Sequence, residues 1–157
     1  MDRTLVIAYG NPLRSDDGVA WQAAEELKRI LPSPAHVICV HQLTPELAEL
    51  ASGSDLVIFV DAASEGHPGS VLCQRLSPES GKFHFSHHLT PQEVLVMCDR
   101  LYCAKPRAFL VSIAGKCFDH GEQFTPAAMI AIPRVLSVVR RAIEGGFPAA
   151  FEDGAAC

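Results

Sequence analysis

Apolar residues recur along this chain with two different periods. Thr4–Tyr9 (TLVIAY), His36–Val40 (HVICV), Leu56–Val60 (LVIFV) and Ala108–Ile113 (AFLVSI) are short, nearly continuous apolar runs rich in β-branched residues. Runs of this kind predict strands covered on both faces, as in a parallel sheet. Ser70–Leu76 alternates instead, with Ser70 and Gln74 at polar positions, and predicts a strand nearer an edge. Val19–Leu31 carries Val19, Ala20, Ala23, Ala24, Leu27, Ile30 and Leu31 at helical spacing and stops at Pro32-Ser33-Pro34. Thr44, Thr90 and Thr125 each precede a proline, the signature of an N-cap followed by the first helical residue. Helices are expected from these points to about Ser52, Tyr102 and Glu144, the first stopped by Gly53 and the last by Gly145-Gly146.

Strands alternating with helices define an α/β protein. The expected architecture is a three-layer α/β/α sandwich around an open, mostly parallel five-stranded sheet. Residues 1–148 read as one domain, and residues 149–157 read as a flexible tail. There are no internal repeats and no linker long enough to separate two domains.

Composition narrows the class of function. The chain has 157 residues, 48% of them hydrophobic, which suffices for one compact core. Its net charge is −5 with no basic run, so a nucleic-acid groove built on counterion release is not expected. No apolar run approaches the roughly 20 residues that span a bilayer. Met1-Asp2-Arg3 leads directly into a strand-like run, unlike a signal peptide, and a cytoplasmic location is expected. The six cysteines (39, 73, 98, 103, 117 and 157) form no CxxC pair and read as reduced thiols. Cys98 and Cys103, near a helix end, are the best redox or metal candidates among them.

Ligands of open α/β sheets bind beyond the carboxyl ends of the strands. Those positions hold Asn11, Asp16 and Asp17 after the first strand, His41 and Gln42 after the second, and Asp61 after the third. The stretch His84–His88 follows the fourth strand, and Lys116 follows the fifth. Taken singly, Asp16-Asp17 reads as a cap with a first-turn acid, Asp61 as a turn former, and His87 and His88 as solvated histidines. Together, carboxylates and imidazole on one rim suit a borderline divalent ion such as nickel or zinc. Residue types and spacing support a generic metal or phosphate site and nothing finer.

The segment Gly10-Asn11-Pro12-Leu13-Arg14-Ser15-Asp16-Asp17-Gly18-Val19 resembles the GN-x-L-x-x-D-[DE]-G-[VI] loop of hydrogenase maturation endopeptidases. Val57–Ala62 (VIFVDA) resembles the family's second motif, an apolar strand closing in Asp-Ala. Ser86-His87-His88-Leu89-Thr90-Pro91 is similar to its Ser/His loop before a helix. Val111-Ser112-Ile113, Phe118, Gly121-Glu122 and Thr125-Pro126-Ala127 resemble its closing strand and the start of its last helix. The likeness runs in order over nearly the whole chain.

The resemblance implies an endopeptidase that cuts a short C-terminal extension from the precursor large subunit of a nickel-iron hydrogenase after nickel insertion. It implies Asp17, Asp61 and His87 as metal-contacting residues, the metal being nickel supplied by the precursor. Asp17 stands where some relatives have Glu. Counting back from Leu89-Thr90-Pro91 selects His87, whereas a Ser-x-His spacing from Ser86 selects His88. Asp16 is expected to act as a base or to orient Asp17, and Asn11 and Gln42 to touch substrate. Two departures stand out. His41-Gln42-Leu43-Thr44 replaces a stretch often rich in glycine, and Tyr9 precedes Gly10 where a small residue is common.

A divalent metal would polarise the scissile carbonyl and activate water without a Ser or Cys nucleophile, and neither GxSxG nor HExxH occurs in the chain. Three other readings remain at this level. One is a receiver-like phosphoacceptor module built on Asp16/Asp17, Asp61 and Lys116. The others are a metal-dependent small-molecule hydrolase on the same scaffold and a catalytically silent chaperone.

Overall fold

The computed structural model describes residues 2–78 and 88–145 in full and residues 150–153 as backbone. Five strands match the expected runs: β1 (Thr4–Tyr9), β2 (His36–Val40), β3 (Leu56–Ala63), β4 (Val71–Leu76) and β5 (Arg107–Ala114). A sixth, β6 (Ala150–Asp153), lies in the stretch expected to trail as a tail, so the sheet has six strands rather than five. Backbone pairing to the open edge of β4 is what recruits it.

The strand order is β2-β1-β3-β5-β4-β6. β2, β1, β3 and β5 are parallel, whereas β4 runs antiparallel to β5 and β6 antiparallel to β4. Short connections decide this: β4 follows β3 after a turn through Gly66 and Gly69, both at positive φ, and no helix intervenes.

Helices α1 (Val19–Ile30) and α4 (Pro126–Ile143) cover one face of the sheet, with Ala20, Ala23, Leu27, Val135 and Val139 packed on Val6, Ile58, Val60 and Val111. Helices α2 (Leu47–Ser52) and α3 (Pro91–Tyr102) cover the other, with Leu47, Ala51, Val94 and Leu95 packed on Leu5, Ile7, Val57 and Phe59. Burial of the strand side chains on both faces explains their continuous apolar runs. No described helix is long and apolar enough to cross a membrane.

The Thr-Pro signals fare differently. Thr90 forms a full capping box with Glu93, and the Thr125 hydroxyl accepts from the backbone N–H of Ala128. The third helix start slips: α2 begins at Leu47 rather than at Pro45. Leu47, Ala48 and Glu49 donate to the carbonyls three residues back, a tighter turn than the α-helix.

Candidate active site

The first loop is tied to the far end of the chain. Ser15–Gly18 forms a single 3₁₀ turn leading into α1. Ser15 sits at φ +50 and its backbone N–H donates to the Gly121 carbonyl at 2.8 Å, while its hydroxyl donates to the Asp119 carbonyl at 2.8 Å. Asp16 is fully buried. Its Oδ2 accepts from the backbone N–H of Lys116 (2.8 Å), that of Cys117 (3.2 Å) and the Thr125 hydroxyl (2.7 Å), and its Oδ1 accepts from the Thr125 N–H (2.8 Å). Burial pushes this carboxyl up, but the four donors outweigh it and hold the acid below the usual carboxylate range. Asp16 therefore anchors the loop to β5 and to the cap of α4.

With Asp16 pinned, Asp17 is turned toward the rim. It is half-buried, and its Oδ2 accepts from the Asn11 N–H at 2.7 Å. The Asn11 side chain is itself engaged, accepting from the Leu13 N–H at 2.9 Å as in an Asx turn. The backbone here is close-packed. Gly10 has φ +147, and a Cβ there would run into the Asp17 carbonyl oxygen, so only glycine fits. A Cβ on Gly115 would lie 2.9 Å from Cβ of Asp16 and 2.7 Å from the Phe118 ring.

Asp61 lies within β3, not after it, because β3 continues to Ala63. It pairs with Ser112 on β5, and the β1–β3 register carries Tyr9 level with it on the other side. This rung continues the face on which Ile7, Phe59 and Leu110 belong to the apolar cluster, and polar side chains replace the apolar ones just where β1 ends. The Tyr9 hydroxyl donates to Asp61 Oδ2 at 2.8 Å. Asp61 Oδ1 is buried and has no hydrogen-bond partner. Burial raises the pKa of Asp61 above the carboxylate range and the charge of Asp17 adds to the rise, while hydrogen bonds from Tyr9 and Ser112 partly offset it. Burial, followed by the charge of Asp61 and the bond to it, likewise pushes the Tyr9 phenol up.

The structure thus brings Asp17 and Asp61 into electrostatic contact on one rim, with Asp16 beneath. His87 lies outside the described residues, and His88 is exposed ahead of α3. Gln42 is exposed, and His41 packs edge-on against Trp21 with ring centroids 5.1 Å apart. Lys116 reaches Asp16 through its backbone N–H, while its side chain is exposed. The receiver-like alternative fails here. Receivers order their strands 2-1-3-4-5, whereas this sheet places an antiparallel β4 outside β5, and Asp16 is consumed by four donors. Among the described residues no three His, Cys, Asp or Glu side chains approach closely enough to hold a metal ion, Cys98 and Cys103 included.

Two contributors are hidden in the sequence. Tyr9 stands out there only as an unusual neighbour of Gly10, and its level with Asp61 follows once β1 and β3 are paired in parallel. Thr125 carries the signature of a helix cap, and nothing local signals its bonds to Asp16.

An open sheet with two acids at the carboxyl ends of its parallel strands defines an α/β protein with a carboxylate site at the usual ligand position. No family model and no curated protein matches the chain. Solved structures do. The hydrogenase maturating endopeptidase HybD from E. coli superposes with a TM-score of 0.75 at 22% identity, over 98% of this chain and 99% of that one. An endopeptidase from Escherichia coli gives 0.70 at 23% identity over 95% and 96%. The [NiFe] hydrogenase maturation protease HybD from Thermococcus kodakarensis gives 0.67 at 19% over 89% and 98%. The fold of this chain is therefore the fold of the hydrogenase maturation proteases, spanned end to end.

Proposed function

We propose that this chain is an endopeptidase that removes the C-terminal extension of a nickel-iron hydrogenase large-subunit precursor after nickel insertion, in the cytoplasm. The observation that carries the reading is the Asp17–Asp61 pair at the strand-end rim, one member presenting a buried oxygen without a donor, on a fold shared over its full length with proteases of that name. Buried polar atoms in native proteins are almost always satisfied, so an orphaned carboxylate oxygen marks a place where a cation or donor arrives.

The donor set fits a nickel ion carried by the substrate. Two carboxylates make an incomplete shell, which His87 and groups of the precursor would complete. A divalent ion held there would polarise the scissile carbonyl and lower the pKa of a bound water. The protein's own part is geometric. Asp16 holds the first loop against β5 and α4, the Asn11 N–H fixes one oxygen of Asp17, and Tyr9 fixes one oxygen of Asp61. Two acids locked by separate elements then test whether the precursor carries its metal, and cleavage follows only if it does. Gln42 and Asn11, flanking this rim, contact the precursor chain.

The test is mass spectrometry of a candidate large subunit incubated with this protein, each with and without nickel. Loss of a C-terminal peptide only from the nickel-loaded precursor is expected. Asp61→Ala and His87→Ala should abolish it, while His88→Ala should leave it within about twofold. Cleavage by Asp61→Ala at the wild-type rate would remove the metal-site reading.

A further inference from the structure

Tyr9 occupies the last position of β1, paired with Val40 on β2, and one residue beyond the Ala8–Val60 pair it comes level with Asp61 on β3. Its hydroxyl donates to Asp61 Oδ2 at 2.8 Å, the Ser112 side chain also approaches this carboxylate, and Oδ1 is buried with no hydrogen bond. We propose that Tyr9 is a positioning residue that holds the Asp61 carboxylate in one rotation, so that Oδ1 alone is offered to a divalent cation. The inference rests on the reading of the site given above and deepens it.

A carboxylate at the end of a strand can turn about its last bond and bring either oxygen, or both, to a metal. A hydrogen bond to Oδ2 removes that freedom and makes the ligand monodentate. Each ligand atom withheld leaves a coordination position open to a substrate oxygen or water, which metal-assisted hydrolysis requires. Groups that orient metal ligands from behind characteristically change metal affinity by about 10–100-fold when removed. Phenylalanine keeps the ring of Tyr9 and removes only the donor, which isolates the effect.

The experiment titrates the full chain with Co²⁺ alone, following the visible bands of the ion, and repeats the titration with Ni²⁺ by calorimetry. Tyr9→Phe should bind Co²⁺ about tenfold or more weakly, with a shifted band pattern as Asp61 changes from one-oxygen to two-oxygen ligation. Asp61→Asn should abolish binding, and adding Tyr9→Phe to it should change nothing further, because Tyr9 acts through Asp61. If Tyr9→Phe matches wild type in affinity and spectrum while Asp61→Asn abolishes binding, the inference is wrong and the metal site stands. Absence of Co²⁺ binding by the wild-type chain overturns the inference. If Asp61→Asn also cleaves nickel-loaded precursor normally, the site reading falls with it.

Discussion

Replacing Asp16 by Asn tests what holds the first loop in place. The side chain keeps its shape and loses its charge and one acceptor atom. The carboxylate now serves four donors, three on Oδ2 and one on Oδ1, in a fully buried position. In the best orientation the Asn carbonyl takes over the three and its NH₂ group faces the Thr125 N–H. That leaves one buried donor unsatisfied, at about 1–3 kcal/mol, and reduces three charge-assisted bonds to neutral ones, at somewhat under 1 kcal/mol each. The sum is about 3–5 kcal/mol, a large part of the roughly 5–15 kcal/mol that stabilises a domain. At about 2–4 °C per kcal/mol for a chain of this length, Tm should fall by about 6–20 °C.

Urea unfolding followed through the single tryptophan, Trp21, whose indole N–H donates to the Val40 carbonyl, gives the same quantity as a lower midpoint at unchanged slope. The acid limb supplies a second signature. Asp16 has its folded pKa depressed, so its stabilisation is present above the ordinary carboxylate value of about 3.9 and is lost as pH falls through the folded value. Wild type and variant should therefore converge below about pH 4. A variant whose midpoint lies within about 0.3 M urea of wild type at pH 7, with a parallel acid limb, would refute the anchoring role.

Asp61→Asn should do the opposite to stability. Burial raises the folded pKa of Asp61, so the wild type loses stability as pH rises from the ordinary value to the raised one; the variant should lack this loss and gain about 0.5–2 kcal/mol near neutrality by thermal unfolding, while losing cleavage. Gly10→Ala forces a side chain against the Asp17 backbone at φ +147, and should cost about 2 kcal/mol or more in calorimetry and cut cleavage more than Tm alone explains. Thr90→Ala removes the reciprocal cap of α3 and should cost about 1 kcal/mol in urea unfolding with activity retained.

The layers and the rim were legible because burial writes itself into the sequence. Runs such as Leu56–Val60 must be apolar on both faces, and an acid that ends such a run can sit only at a sheet end. Much else depended on pairing. Ser70–Leu76 alternates identically whichever way it runs, so the direction of β4 was set by its short connection to β3 rather than by its residues. Ala150–Asp153 carries no strand signature of its own and is ordered by the edge it meets. The role of Asp16 was ambiguous for the same reason. As a residue before a helix it resembles a cap, and its four donors come from a segment about a hundred residues away. Tyr9 became meaningful only when the register brought it beside Asp61.

The span of the Asp16 bonds also sets when the site can exist. Thr125 lies 109 residues beyond Asp16, and a chain emerging from the ribosome at about 5–20 residues per second presents the acid seconds before its partner. Until the segment from Lys116 to Thr125 docks, the loop that carries Asp17 lacks these anchors. A growing or half-assembled chain thus carries every residue of the site without its geometry, and the proposed cleavage would await completion of the fold.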